Sequence, residues 1–510
     1  MDYVINSASV ERWGMFEVKV KGKTDGNPFT DYSIHGVFRH KNETVEADGF
    51  YDGDGDYIVR CMPSFEGEYS FEVSGSAIDG KTAKGAFTSA PPVKGNHGPV
   101  RVANSCHFAY EDGTPHYSLG TTCYVWTHQS QELQEQTLES LKNSPFNKIR
   151  FCIFPKHYVH NFHEPITYPY IGTPCDRSGL TADNFSFNME FEGNDWDFTR
   201  FNPEHFRLFE KRIVDLMNLG VEADLIVMHP YDCWGFSKMT PEQDDLYWNY
   251  VVNRFSAYRN VWWSLANEYD LMRSKTIADW ERYASIICRQ DPYNRLRSIH
   301  NCRHFYDHSR PWITHCSVQR QSIYITVEMT DVFRERYNKP VVLDEICYEG
   351  NIQHGWGNIS GQELVRRFWE SACRGGYPGH GETFVHPEDI LWWSHGGKLH
   401  GESSARIQFL KGILEETPGP GLRLAQSRSW FDCTVATPDR MIETGDYYLI
   451  YFGISRPSER RFNFDAGAAY KVEIIDTWEM TIADGGVHSG LFKVKLPGKE
   501  YMAIRLIKQI

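Results

Sequence analysis

Two short stretches hold residues that could do chemistry. "NVWWSLANEYD", from Asn260 to Asp270, is apolar through two tryptophans and a leucine, then ends on Asn267-Glu268. "KPVVLDEICYEG" repeats the plan, with Val341 to Leu343 running into Asp344-Glu345. A run built for burial that ends on a carboxylate sets that acid at the rim of a core. Two carboxylates delivered to one pocket are the parts needed to cleave a glycosidic bond. One is protonated and assists the leaving oxygen; the other is ionised and attacks the anomeric carbon. Like charge and partial burial push their pKa values apart, which assigns the roles. A lone strand-end Glu facing an arginine or solvent is the plainer reading of either stretch; the pair, with Asn directly before Glu268, favours chemistry.

The elements that must position these residues lie between about 100 and 415. Strand-like runs there are "HYSLGTTCYVW", "FNKIRFCIF", "EADLIVMHP", "NVWWSLANE", "LRSIHN", "WITHCSVQ", "PVVLDEICYEG" and "GYPGHGETF". Amphipathic stretches such as "EHFRLFEKRIVDLMNLG" and "IADWERYASIICRQ" separate most of them. Strand–helix–strand repetition predicts βαβ units and a parallel sheet. Eight units predict a (β/α)₈ TIM barrel, an α/β fold whose strand C-termini converge on one mouth. A doubly wound open sheet is the alternative; polar residues recurring at strand C-termini favour the barrel. Residues 1–92 alternate as short strands around Gly, Asp and Asn turns, which predicts an immunoglobulin-like antiparallel β-sandwich. "SAPPVKGNHGP" reads as a linker, the barrel is assigned to 100–415, and alternation returns in a second β-sandwich over 420–510.

The two Glu motifs and the barrel pattern resemble clan A of the glycoside hydrolases, the retaining (β/α)₈ enzymes. "SLANE" is similar to the clan's strand-four motif, and "PVVLDE" to the end of its strand seven. The resemblance implies that Glu268 is the acid/base, Glu345 the nucleophile and Asn267 a contact to the sugar 2-hydroxyl. "FNKIRFCIFP" resembles the strand-two motif and implies that Arg150 supports the nucleophile. His229, in "LIVMHP", and His315, in "WITHCSVQ", fall where the clan has strand-three and strand-six site residues. The strand-eight aromatic corresponds to Trp392 or Trp393. The whole layout, sandwich then barrel then sandwich, is similar to bacterial glycosidases with an apiosidase-like barrel. One departure is Asp344, where many clan members have Gly or Thr; it competes with Glu345. Strand alternation, which puts 343 and 345 on one face, favours Glu345. Glu382 is a third acidic candidate.

The 510 residues are 41% hydrophobic and 24% charged, with a net charge of -14 from 53 basic and 67 acidic residues. That balance argues against nucleic acid or an anionic membrane as partner. The N-terminus lacks the basic and apolar regions of a secretory leader, and the twelve cysteines form no CxxC pair, so a cytoplasmic protein with reduced thiols is expected. "DGDGDY" mimics the start of an EF-hand, but Tyr57 and Pro63 stand where Gly and Glu belong, so a tight turn is expected. "HNCRHFYDH" gathers His300, Cys302, His304 and His308; it runs from a strand end into a loop, so His300 is assigned to the pocket and no metal is expected. Trp262 and Trp263 point to opposite faces of one strand and are expected in the core, whereas Trp356, Trp392 and Trp393 are candidate sugar platforms. No phosphate-binding loop lies between strand and helix, so no cofactor is expected. The expected function is a retaining, exo-acting glycoside hydrolase taking a small oligosaccharide or glycoside. A noncatalytic carbohydrate-binding protein and a transglycosylase are the alternatives, and a homo-oligomer stays open.

Overall fold

A computed structural model of the chain describes residues 2–509 except 188, 190, 321, 323, 388–389, 426–432 and 440–444. Eight parallel strands form the central sheet: β1 (Gly120–Thr122), β2 (Lys148–Cys152), β3 (Glu222–Met228), β4 (Val261–Ala266), β5 (Arg297–Ser298), β6 (Cys316–Gln319), β7 (Val341–Glu345) and β8 (Tyr377–His380). Their hydrogen-bonded order is 5-4-3-2-1-8-7-6. This is a nearly closed barrel whose seam lies between β5 and β6. His300 Nδ1 and Ser317 Oγ bridge that seam at 2.9 Å. Helices Gln131–Lys142, Pro203–Asn218, Pro241–Phe255, Ile277–Gln290, Thr330–Tyr337 and Gly361–Cys373 follow six of the strands. Among the described residues no helix joins β5 to β6. The helices begin where the chain carries capping chemistry: Thr240 with Gln243, and Thr276 with Asp279, form capping boxes.

Alternation along each strand sorts the side chains. Ile149 and Phe151, Leu225 and Val227, Trp263 and Leu265, and Val341 and Leu343 join the main core between strands and helices. Trp262 points the other way, to the barrel floor, where it packs with Phe108, Val342 and Tyr377. Phe108 belongs to the hairpin Val100–Ala103/His107–Tyr110, which closes the barrel from below. Inside the barrel Lys148 Nζ sits 2.8 Å from both Asp224 and Asp344. One ammonium between two carboxylates keeps the layer beneath the mouth polar yet paired.

The N-terminal sheets have four and five strands and pack Phe16, Val18, Phe38, Val59, Phe71 and Phe87 between them. Their pairing is antiparallel except that Ser9–Glu11 runs parallel to Thr88–Ala90. "DGDGDY" is the expected turn, with Asp52 and Asp56 closing it through backbone hydrogen bonds. The C-terminal unit is a six-stranded antiparallel sheet covered by a two-stranded antiparallel sheet, Glu459–Asn463 with Leu491–Lys495. Between β2 and the following helix the chain forms an additional antiparallel pair, Tyr170–Thr173 with Asp195–Phe201. No described helix is long and apolar enough to cross a membrane.

A buried ionic cluster pins the N-terminal unit to the barrel. Arg60 from the sandwich and Arg254 from the helix Pro241–Phe255 share the Glu210 carboxylate, and Arg254 also reaches Asp52 at 2.8 Å. Glu210→Ala leaves two guanidinium groups buried without their common partner. The expected cost is about 3–5 kcal/mol, read as a lowered midpoint in urea unfolding. A loss below about 1 kcal/mol, the usual value of an exposed pair, contradicts this role.

Candidate active site

Strand alternation alone does not aim Glu345 at the pocket. Residues 343 and 345 share a face by period, and Leu343 faces the helices. A bulge corrects this: β6 and β7 pair Ser317 with Val342 but Gln319 with Glu345, so one strand advances two residues while the other advances three. The extra residue re-aims the strand end. Asp344 and Glu345 therefore both point inward. Asp344 lies lower, held by Lys148 and by the Ser317 hydroxyl at 2.5 Å. Glu345 reaches the mouth. Glu345 lines the pocket because of the bulge, not the alternation.

Glu268 reaches the same place by a different device. After Ala266 ends β4, Glu268 adopts φ 51°, the left-handed region that costs energy for a residue with a side chain. Tyr269 N–H donates to the His300 carbonyl, and the Asp270 carboxylate accepts backbone N–H groups of Cys302, Arg303 and His304 at 2.6–2.9 Å. The loop after β5 thus locks the turn that exposes Glu268.

The two carboxylates line one pocket of about 160 Å³, together with Tyr124, Lys156, Tyr158, Tyr231, Asn267, Cys302, Trp356 and Trp393. Three groups converge on Glu345 Oε1. The Tyr124 hydroxyl donates to it, His300 Nε2 lies at 3.3 Å and Arg150 Nη1 at 3.6 Å. The same Arg150 nitrogen donates to Asn267 Oδ1 at 2.8 Å. One guanidinium therefore ties Glu345 to the neighbour of Glu268. With Oδ1 occupied, the Asn267 amide offers its N–H donors to the pocket. The Tyr231 hydroxyl donates to Glu268 Oε2.

The environments push the pair apart. Burial raises the Glu268 pKa, and the negative charge of Glu345 raises it further; the Tyr231 hydrogen bond and the Lys156 charge offset only part of this. Burial also acts upward on Glu345, but the hydrogen bond and charge of His300, the Arg150 charge and the Tyr124 hydroxyl outweigh it and hold Glu345 well below the usual carboxyl range. The arrangement favours the proton on Glu268 and the charge on Glu345.

Arg150, Asn267, His300 and Trp393 stand with the two carboxylates as expected. Three expected residues do not. His315 precedes β6, which begins only at Cys316, and packs on Trp262 and Phe108 at the floor, the end of the strand opposite the mouth. Gln319, at the true exit of β6, takes its place and meets His300 Nε2 at 3.1 Å. His229 is buried behind the wall, its Nε2 3.3 Å from the Phe154 carbonyl. Trp392 is 1% exposed and donates to Thr121, facing away from the pocket. Both tryptophans sit in a short helix, Trp392–His395, not a loop, and successive helical residues cannot share a face. Glu382 lies outside the pocket and accepts the His400 N–H. His308 meets Tyr337 edge to face, and no group of three metal-ligating side chains gathers among the described residues. Tyr124, Lys156, Tyr158 and Tyr231 were not anticipated. Each lies two to six residues past a strand's last inward apolar position, in "CYVW", "FPKHY" and "HPYDCW"; an aromatic just past a strand exit was the available signal.

The family model described as the apiosidase-like catalytic domain matches residues 103–418. Two further models, each described as a domain of unknown function, match residues 9–76 and 434–507. A solved structure from Bacteroides vulgatus, described as a candidate glycoside hydrolase, is 36% identical. The match covers 98% of this chain and 100% of that one, with a TM-score of 0.90. A family 5 glycoside hydrolase from Bacteroides vulgatus shares the fold at 16% identity and TM-score 0.59, over 81% of this chain and 94% of that one. No curated protein matches the chain.

Tyr231→Phe removes a donor from the Glu268 carboxylate. The charged form loses support, so the Glu268 pKa rises and the acid stays protonated to higher pH. The alkaline limb of kcat/KM, which reports this group in the free enzyme, should move upward. A limb that stays or moves down contradicts the contact.

Proposed function

This chain belongs to the apiosidase-like family of glycoside hydrolases, and on that premise we propose that it is a retaining, exo-acting enzyme that cleaves small oligosaccharides or glycosides by double displacement. The observation that carries the reading is one pocket lined by both Glu268 and Glu345, whose surroundings drive their pKa values in opposite directions.

The steps follow from those two states. Glu345, ionised and oriented by Tyr124, His300 and Arg150, attacks the anomeric carbon. The bond to the departing oxygen breaks, and Glu268 gives its proton to that oxygen. The product is a glycosyl ester on Glu345 and an ionised Glu268. Glu268 then takes a proton from water, whose oxygen attacks the anomeric carbon and releases Glu345. Retention needs carboxyl groups about 5–5.5 Å apart, against about 6.5–9.5 Å for inversion. The single Arg150 nitrogen that contacts both Glu345 and Asn267 supports the shorter spacing. Asn267, with its N–H donors toward the pocket, is suited to hold the sugar 2-hydroxyl. Trp393, Trp356 and Tyr158 add aromatic surface to the pocket wall.

Exo action draws support from size. A pocket of about 160 Å³ falls below the roughly 300–1,000 Å³ of sites for drug-sized ligands, which suits one terminal sugar ring better than a chain laid through a cleft.

A panel of nitrophenyl glycosides identifies the cleaved sugar. On that substrate Glu345→Gln should lower kcat by on the order of 10⁴-fold or more, with an unchanged unfolding midpoint. Proton NMR of the first product should show the anomer of the substrate. The opposite anomer rules out double displacement. Tight sugar binding with no cleavage across the panel favours a noncatalytic binder.

A further inference from the structure

Lys156 has no counterpart in the steps above. It lies four residues past the end of β2, is 2% exposed, and forms part of the pocket wall. Its ammonium stands over four rings: Tyr124 at 3.6 Å, Tyr231 at 4.2 Å, Trp393 at 4.8 Å and Tyr158 at 4.9 Å. Among the described residues, Nζ makes no hydrogen bond and no ion pair. Two other buried cations inside the barrel have side-chain partners. Lys148 has Asp224 and Asp344, and Arg150 has Glu345 and Asn267.

The ring faces stabilise a positive charge without accepting strong hydrogen bonds. They hold the ammonium in place and leave its three N–H donors to the pocket. A buried cation with unspent donors is costly unless a partner of opposite charge arrives. Burial lowers the Lys156 pKa to about 8, and an anion bound beside it would act in the opposite direction. A sugar hydroxyl accepts one weak bond and brings no charge. A carboxylate brings both lone pairs and charge, at roughly twice the strength.

We infer that the sugar bound in this pocket is a uronic acid, whose carboxylate Lys156 receives. The inference rests on the hydrolase reading for the location of the sugar, but not for its recognition. Glu345 does not repel such a ligand by itself, because Arg150 meets its charge, and burial beside Glu345 raises the Glu268 pKa.

The test separates recognition from catalysis. First, calorimetry on the wild-type protein compares glucuronic, galacturonic and mannuronic acids with glucose, galactose and mannose. At least one acid should bind more tightly than its neutral counterpart. Lys156→Met, which keeps the stem's volume, should weaken that acid by about 100-fold or more and change neutral sugars by less than about tenfold. Lys156→Arg, which keeps the charge, should recover part of the loss and serves if the Met variant unfolds. Second, paired nitrophenyl uronides and hexosides give the same contrast in kcat/KM. Acid binding that depends on Lys156, with no cleavage, upholds this inference and removes the hydrolase reading. Cleavage of neutral glycosides alone, equal losses on acidic and neutral sugars, or no preference for any acid overturns it.

Discussion

The structure depends on a constraint of charge: two carboxyl groups in one small, dry pocket cannot both be ionised without a large cost. Which of them keeps its proton is decided by what touches each. Glu345 has three hydrogen-bonding or cationic partners on one oxygen. Glu268 has the Tyr231 phenol, the Cys302 thiol and the more distant Lys156 charge, and faces a negative neighbour. The asymmetry comes from the surroundings, since the side chains are identical. In the proposed mechanism it turns a pair of acids into an acid and a nucleophile.

Much of the remaining architecture serves to maintain that asymmetry. Arg150 is useful only if it stays buried and oriented, and the barrel beneath it supplies a paired layer in which Lys148 balances Asp224 and Asp344. Asp344 is thereby removed from competition with Glu345. Two local departures from regular backbone aim the acids: a bulge in β7 and a left-handed residue after β4. Both sit at strand ends, where breaking the ladder costs little and redirects a side chain most. The loop after β5 braces both, through Asp270 on one side and His300 on the other.

The barrel was legible because its strands are apolar runs of the right length, and all eight appear in the structure at the expected stretches. Glu268 and Glu345 were legible because each ends such a run. What escaped reading depended on register. His315 lies at the floor because β6 begins only at Cys316, the end opposite the mouth. Whether Trp392 or Trp393 faces the pocket turns on a single helical turn. The bulge in β7 leaves no mark in "PVVLDE", since any pair of acids there would read the same. Tyr124, Tyr231 and Lys156 lie past their strands, where loop geometry, not periodicity, sets direction. The strand Asp195–Phe201 did carry a signal, since Trp196 and Phe198 alternate with Asp195 and Asp197.

The most direct measurement is a carbon-13 NMR titration of the labelled glutamate carboxyls, in the wild-type protein and in Glu345→Gln. The account predicts that the Glu268 signal titrates above the ordinary glutamate range in the wild type and shifts to lower pH once the neighbouring charge is gone. A Glu268 signal that titrates at the same pH in both proteins would mean that the two groups do not sense each other, and the shared-pocket account would fail.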